Sequence, residues 1–188
     1  MASARTTLLE AVNRVLQMIG EAPINSLQSQ LGLAKQAQDA LDESSRRLQA
    51  EGWSFNTDYE ATLVRANDGT ISVGTNVSRV VVDPYLFSSL EVVQRGAKLY
   101  DRRAKSYVFS ADLKANVTYI FDYDDLPEHA RQYIIARAGR TLQEAIIGAA
   151  DLTKINLQIE LEARSQFWRK RPSCLSTTCC VAIPTTLA

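Results

Sequence analysis

The stretch LGLAKQAQDALDESSRRLQAEGWSFNTDYEATLV, residues 31–64, is the strongest indication of fold class in the sequence, because the spacing of its apolar residues changes in the middle. Before Gly52, apolar and small residues recur with the helical period, at Leu33, Ala37, Leu41, Ser44 and Leu48. From Glu60 to Val64 the residues alternate with the period of two that is typical of a strand. The stretch therefore predicts a helix over about residues 31–51 that ends at Gly52 and leads into a β-region.

Another helix is predicted upstream of this stretch. Thr7 and Glu10 have the spacing of a capping box, in which each side chain bonds the other residue's backbone N–H. Gly20 and Pro23 provide the end of the helix. Its apolar face consists of Leu8, Val12, Val15 and Ile19. Residues 1–58 are thus predicted to form an N-terminal helical hairpin.

Residues 59–122 are predicted to form an antiparallel sheet. Strands are expected at residues 60–64, 70–73, 77–82, 90–94, 98–100, 107–109 and 117–121. Consecutive short strands are typical of antiparallel pairing, and Asn67-Asp68-Gly69 is a strong hairpin signal. Trp53 and Phe55 fall on one face of an extended chain, so we expect them to pin the hairpin onto this sheet.

Residues 123–171 are predicted to form two further helices. The first has a capping-box spacing at Asp125 and Glu128, with Pro127 in its first turn, and ends at Gly148. The last begins at Asp151, and its inward stripe is expected to be Ile155, Ile159, Glu162 or Ala163, and Phe167. The order of periodicities predicts an α+β fold, a four-helix bundle with an antiparallel β-sheet inserted between its second and third helices.

Two regions are candidates for contacts with other proteins. Small residues let the second helix pack closely, either within the hairpin or also against a neighbouring subunit, and the candidate positions are Ala34, Ala37, Ala40, Leu41 and Ser44. Residues 172–188 lack an amphipathic period and are predicted to form an extended arm that orders on a partner. The basic end of the last helix either balances the helix dipole or contacts a partner together with the arm, and the candidate positions are Arg169, Lys170, Arg171, Leu175, Val181, Ile183 and Leu187.

The composition argues against several function classes. The 188 residues carry 21 Lys and Arg and 21 Asp and Glu, so the net charge is zero and no basic bias indicates a nucleic-acid binder. Cys174, Cys179 and Cys180 are expected to be free thiols, and no C-x-x-C pair or neighbouring histidine indicates a metal site or a cofactor. No apolar run approaches the roughly 20 residues of a membrane span, so we expect a soluble protein.

The sequence also lacks recognisable catalytic motifs for phosphate, zinc, serine-hydrolase or dinucleotide chemistry. His129 is its single imidazole and is expected to be exposed in the first turn of a helix. A pair of carboxylates could cleave a glycosidic bond, and Glu43, Glu51 and Glu144 are available, but each has the setting of a solvated helix residue. We therefore expect no enzymatic activity.

Short motifs in a characteristic order give a more specific indication. They are Ala11-Val12-Asn13, Ile19-Gly20-Glu21 with Pro23, Gly52-Trp53-Ser54-Phe55-Asn56, Arg95-Gly96, Leu99-Tyr100-Asp101-Arg102, Tyr123-Asp124-Asp125-Leu126-Pro127-Glu128 and Glu160-Leu161-Glu162-Ala163-Arg164. Together they run from about residue 8 to residue 170, and their order resembles the tail tubular protein A family of short-tailed bacteriophages.

The resemblance implies a structural head-to-tail adaptor. Such an adaptor is a ring of twelve identical subunits that joins the portal to the tail nozzle, with double-stranded DNA passing through its lumen without specific binding. It implies a place in the virion tail, after assembly in the host cytoplasm, with tail fibres as a further candidate partner. The arm and the basic helix end would then contact the portal or a neighbouring subunit. The alternative is a tail-associated peptidoglycan-degrading enzyme.

Overall fold

The computed structural model describes residues 5–28, 32–148 and 150–169. Within them the elements are α1 (Leu8–Met18), α2 (Leu33–Ala50), β1 (Thr57–Leu63), β2 (Val77–Val82), β3 (Val92–Arg95), β4 (Lys98–Asp101), β5 (Leu113–Tyr119), α3 (Glu128–Ile146) and α4 (Ala150–Arg169). All strand pairs are antiparallel and lie between α2 and α3 in the chain, so the predicted α+β class is confirmed. The bundle arrangement and the division of the chain at residues 58, 122 and 171 stay predictions.

The helices share one apolar core. Helix α3 contacts α1, α2 and α4, and α1 also contacts α2. The fully buried aliphatic side chains of this core include Val12, Val15, Leu41, Leu126 and Ile134. The capping box of α1 is confirmed, because Thr7 Oγ1 accepts a hydrogen bond from Glu10 N at 3.3 Å and Glu10 Oε2 accepts one from Thr7 N at 2.9 Å.

The strands form two small sheets over a second core. The first sheet has the order β1-β5-β2, and β3 pairs with β4 in a separate hairpin. The predicted strands at residues 70–73 and 107–109 are reduced to isolated bridges, one of them joining Thr70 to Val108. The hairpin predicted at residues 67–69 is also wrong, because β1 pairs with the distant β5. This second core contains Ile71, Val73, Leu99, Phe109 and Leu113.

Helix α3 begins differently from the prediction. Its N-cap residue is Pro127, and no side chain caps it, whereas Asp125 belongs to a single 3₁₀ turn before it. The Glu128 carboxylate instead accepts hydrogen bonds from Thr6 N at 2.8 Å and Thr6 Oγ1 at 2.7 Å. The predicted capping box fails because the fold brings two donors from the chain's N-terminal region to the same carboxylate.

Two buried amide side chains join the helices to the sheet. Asn56 Nδ2 donates to Gln49 O at 2.8 Å and to Tyr119 O at 2.7 Å, while Asn56 Oδ1 accepts from Trp53 N at 2.8 Å. Gln49 Nε2 donates to Phe121 O at 3.0 Å and Gln49 Oε1 accepts from Phe121 N at 2.8 Å. Both amides are at most 1% exposed, so these bonds fix the end of α2 against the end of β5.

Candidate functional site

The described ranges do not contain a group of three or more His, Cys, Asp or Glu residues that could hold a metal ion. The carboxylates considered for glycosidic cleavage are all exposed, Glu43 on α2, Glu51 just after the end of α2, and Glu144 on α3. Glu43 pairs with Arg47, and Glu144 Oε1 lies 2.7 Å from Arg140 Nη1. Exposed, ion-paired carboxylates lack the dry pocket that keeps a general acid protonated at neutral pH.

We examined whether any helix in the described residues could span a membrane. None of them is both long enough and apolar enough to cross a bilayer.

The small-residue face of α2 lies mostly inside the subunit. Ala37 and Leu41 are fully buried and Ser44 is 6% exposed. Ala34 and Ala40 are half-buried and pack against the helical core. The tight intramolecular packing of this face is therefore present, and an additional contact with a neighbouring subunit stays a prediction for which Ala34 and Ala40 have the accessible surface.

Arg169 is exposed in the last turn of α4. The other candidate positions for a portal or neighbour contact lie outside the described residues, and so do the three cysteines. These positions are Lys170, Arg171, Cys174, Leu175, Cys179, Cys180, Val181, Ile183 and Leu187. A contact through this segment stays a prediction.

The aromatic residues after α2 have a different partner from the one expected. The Trp53 ring is edge-on to Phe167 with centroids 4.4 Å apart, and Phe55 is edge-on to the same ring at 6.4 Å. Trp53 Nε1 donates to Leu48 O at 2.8 Å, which satisfies its polar end. Trp53 and Phe55 therefore fasten the end of α2 to the end of α4, and the junction with the sheet is made by Asn56 instead.

The inward face of α4 also differs from the predicted stripe. Glu160 is 8% exposed, and its Oε2 accepts from Arg140 Nε on α3 at 2.5 Å. The hydrogen bond to Glu160 raises the pKa of Arg140, and it outweighs the opposing effect of burial. One turn earlier, Asn156 donates to Gln143 on α3.

These contacts select a face whose members are Asn156, Glu160, Ala163 and Phe167. Ile155 and Ile159, which were predicted to point inward, are 54% and 45% exposed. This face points inward because α3 offers a partly buried arginine and a buried glutamine here, in addition to apolar side chains, and these polar groups need hydrogen-bond partners. Asn156, Glu160, Ala163 and Phe167 also follow the helical period, so periodicity alone did not distinguish this face from the predicted stripe.

A groove of about 520 Å³ lies between α1, α3 and α4. We call it the α1–α3–α4 groove. Its apolar lining comes from Met18, Ile135, Ala136, Ile159 and Ala163. Its polar lining comes from Arg14, Gln17, Gln132, Glu162 and Gln166. Gly139 on α3 leaves room for the Met18 side chain, which a Cβ at this position would meet.

The other side of α4 carries a second apolar surface, which we call the leucine flank. Leu157 is 44% exposed and Leu161 is 53% exposed. Trp168 continues the same flank, is 37% exposed and contacts Trp53 edge-on at 4.8 Å. Sequence reasoning missed this flank because the residues follow the same helical period as the predicted inward stripe.

Comparisons with known proteins agree with the sequence motifs. A family model described as "Tail tubular protein" matches residues 9–174. "Tail tubular protein A" of Klebsiella phage KP34 is 30% identical over 126 residues, which is 67% of this chain and 66% of that protein. The matched region thus spans just under two thirds of the length of that relative.

Proposed function

This chain belongs to the tail tubular protein family, and from that premise we propose that it is the head-to-tail adaptor of a short-tailed phage. In this proposal twelve copies form a closed ring that joins the portal to the tail nozzle. Double-stranded DNA passes through the lumen during ejection without specific binding, and tail fibres are a further candidate partner.

Membership of the family supports a structural role in the virion tail directly. The protein is a structural component of the virion tail and not an enzyme. The expected place in the tail and the expected lack of enzymatic activity are confirmed on this ground.

One structural observation carries the proposal of an assembling subunit. Helix α4 exposes large apolar side chains along its described length, and none of them is less than 37% accessible: Ile155, Leu157, Ile159, Leu161 and Trp168. Exposed apolar side chains in this number on one helix mark contact sites for another protein, because a subunit that works alone gains nothing from leaving them in water.

The charge balance supports a channel through which DNA slides. Each phosphate contact made by a Lys or Arg strengthens binding by releasing counterions, so a strongly basic lumen would hold the DNA. The 21 basic and 21 acidic residues of this chain give no net attraction of that kind. A chain with no net charge therefore favours passage of the DNA through the lumen over binding of the DNA to the ring.

The proposal assigns a role to each region of the chain. Residues 1–58 and 123–171 form the helical body of the ring, and residues 59–122 form the inserted β-region. Residues 172–188 form an extended arm that contacts the portal or a neighbouring subunit. The apolar residues of the arm, Leu175, Val181, Ile183 and Leu187, would then be buried in the complex, which offsets the entropy lost on ordering.

The test is assembly of the purified full-length protein, alone and with the portal protein of the same virus. We expect a particle of about 250 kDa, twelve chains of 20.8 kDa each, seen as a ring by electron microscopy and docked on the portal. A matched chain truncated after Pro172 should fold but bind the portal more weakly. A wild-type protein that forms no ring and does not bind the portal would contradict the adaptor role.

A peptidoglycan-clearing assay with the same preparation addresses the enzymatic alternative. We expect no clearing from the intact ring. Clearing that disappears when Glu43, Glu51 or Glu144 is replaced by glutamine would contradict the structural role.

A further inference from the structure

We infer that neighbouring subunits contact each other through opposite sides of α4, with the leucine flank of one copy in the α1–α3–α4 groove of the next. The inference rests on the proposed ring and identifies its lateral interface. It concerns two surfaces that are both accessible in the described part of a single subunit.

The geometry of α4 separates the two surfaces. An α-helix turns about 100° per residue, so each position has a defined direction around the axis. Taking the face on α3 as the reference, Leu157 and Leu161 lie roughly 90–130° to one side. Ile159 and Glu162, which line the groove, lie roughly 70–130° to the other side. The groove and the leucine flank are therefore on opposite sides of the same helix.

Two different surfaces on opposite sides of a subunit suit a second copy of this chain. A contact between unlike surfaces is heterologous, and each added copy leaves one free surface of each kind until the ring closes. A two-fold dimer would instead require one surface that matches itself. The apolar lining at Met18, Ile159 and Ala163 is still partly accessible and offers leucine side chains a surface on which to bury.

Charge at the rims supports the same pairing. Glu162 lines the groove, whereas Arg164 is on the leucine flank, one turn after Leu161 and on its side of the helix. Opposite signs thus meet when the flank of one copy enters the groove of the next. Arg14 also lines the groove and keeps its charge there, and its Nη1 donates to the neutral Gln132 Oε1 at 2.9 Å; Glu162 is the acidic residue of the lining that can pair with Arg164.

The test uses full-length variants with one altered surface each. Leu161→Asp changes the leucine flank, and Ile159→Asp changes the groove. Gln158→Asp, on the exposed back of α4, is the matched control. All three positions are exposed in the subunit, so circular dichroism should show wild-type folding for each variant. Light scattering then measures the assembled mass, alone and with the portal protein.

We expect Leu161→Asp and Ile159→Asp each to weaken assembly about tenfold or more, because a charge would enter an apolar contact, and Gln158→Asp to assemble like wild type. An equimolar mixture of the first two variants has one intact flank and one intact groove. It should therefore stop at a 1:1 heterodimer, which symmetric contacts would not produce.

The outcomes separate this inference from the proposed function. If wild type forms rings and both aspartate variants form them equally well, the interface is wrong and the adaptor role stands. If each variant is monomeric but their mixture is monomeric too, the two surfaces do not bind each other and the inference fails. If wild type forms no oligomer either alone or on the portal, both the inference and the proposed function fail.

Discussion

Replacing Asn56 by alanine should strongly destabilise the subunit, because this side chain joins the helices to the sheet. The Asn56 side chain makes three hydrogen bonds at 2.7–2.8 Å, to Trp53 N, Gln49 O and Tyr119 O. The residue is 1% exposed, so water cannot replace the amide without opening the junction. Alanine leaves all three backbone partners without this bond.

The magnitude follows from the number of bonds and their burial. A net loss of about 0.5–1.5 kcal/mol for each hydrogen bond, with the cost of leaving a buried donor unpaired at Trp53 N, gives about 3 kcal/mol in the free energy of unfolding. For a chain of this size, about 2–4 °C is lost per kcal/mol, so the midpoint of thermal unfolding should fall by roughly 6–12 °C.

Urea unfolding followed by circular dichroism and tryptophan fluorescence measures the effect. Asn67→Ala is the matched control, because Asn67 is exposed in a turn, and it should change the free energy of unfolding by less than about 0.5 kcal/mol. A loss of less than about 1 kcal/mol for Asn56→Ala would show that the amide does not hold the junction together.

Other predictions concern the N-terminal region and α2. Arg131→Met should cost about 2–4 kcal/mol, because the buried guanidinium donates to three backbone oxygens including Thr6 O, and hydrogen exchange should show earlier opening there. Burial raises the pKa of the Glu128 carboxyl, but hydrogen bonds from Thr6 and Gln132 outweigh burial and hold this pKa below its usual 4.5. The ionised carboxylate therefore contributes its full stabilisation of the folded state above that pH. The advantage of wild type over Glu128→Gln in urea should therefore shrink as the pH falls below 4.5, and an advantage that grows would contradict the assignment. Ala37→Leu should lower the free energy of unfolding in urea by about 1–3 kcal/mol, because the added methyl groups overpack a fully buried position. Ala40 is half-buried, so if α2 also contacts a neighbour, Ala40→Leu should change the assembled mass measured by light scattering more than the free energy of unfolding.

Local elements could be predicted closely from the sequence. The capping box at Thr7 and Glu10 begins α1 as expected, and β2 has the expected bounds Val77–Val82. Helix α2 ends just before Gly52, whose φ of 80° suits glycine. These features depend on residues that are neighbours in the chain, so the sequence contains the interactions that fix them.

Pairing between distant segments could not be predicted in the same way. β5 pairs with both β1 and β2, and Thr57 lies opposite Thr118 although 60 residues separate them. The turn at residues 67–69 has hairpin chemistry, but the backbone of β1 is paired with β5, and Leu63 packs against the second core together with its partner Leu113. The hydrogen bonds from Thr6 to Glu128 could not be predicted either, because 122 positions separate the two residues in the sequence.

The α+β class, the order of the four helices around the β-region, and membership of the tail tubular protein family follow from the sequence, because periodicity, capping and short motifs are local properties. The tertiary structure alone decided which side of α4 faces the core. Several stripes on α4 satisfy the helical period equally well. The inward face is selected by three contacts, those of Glu160 with Arg140, Asn156 with Gln143 and Phe167 with Trp53. Ile159 and Leu161 are left in water for the same reason, since a helix cannot turn all its apolar sides toward one neighbour.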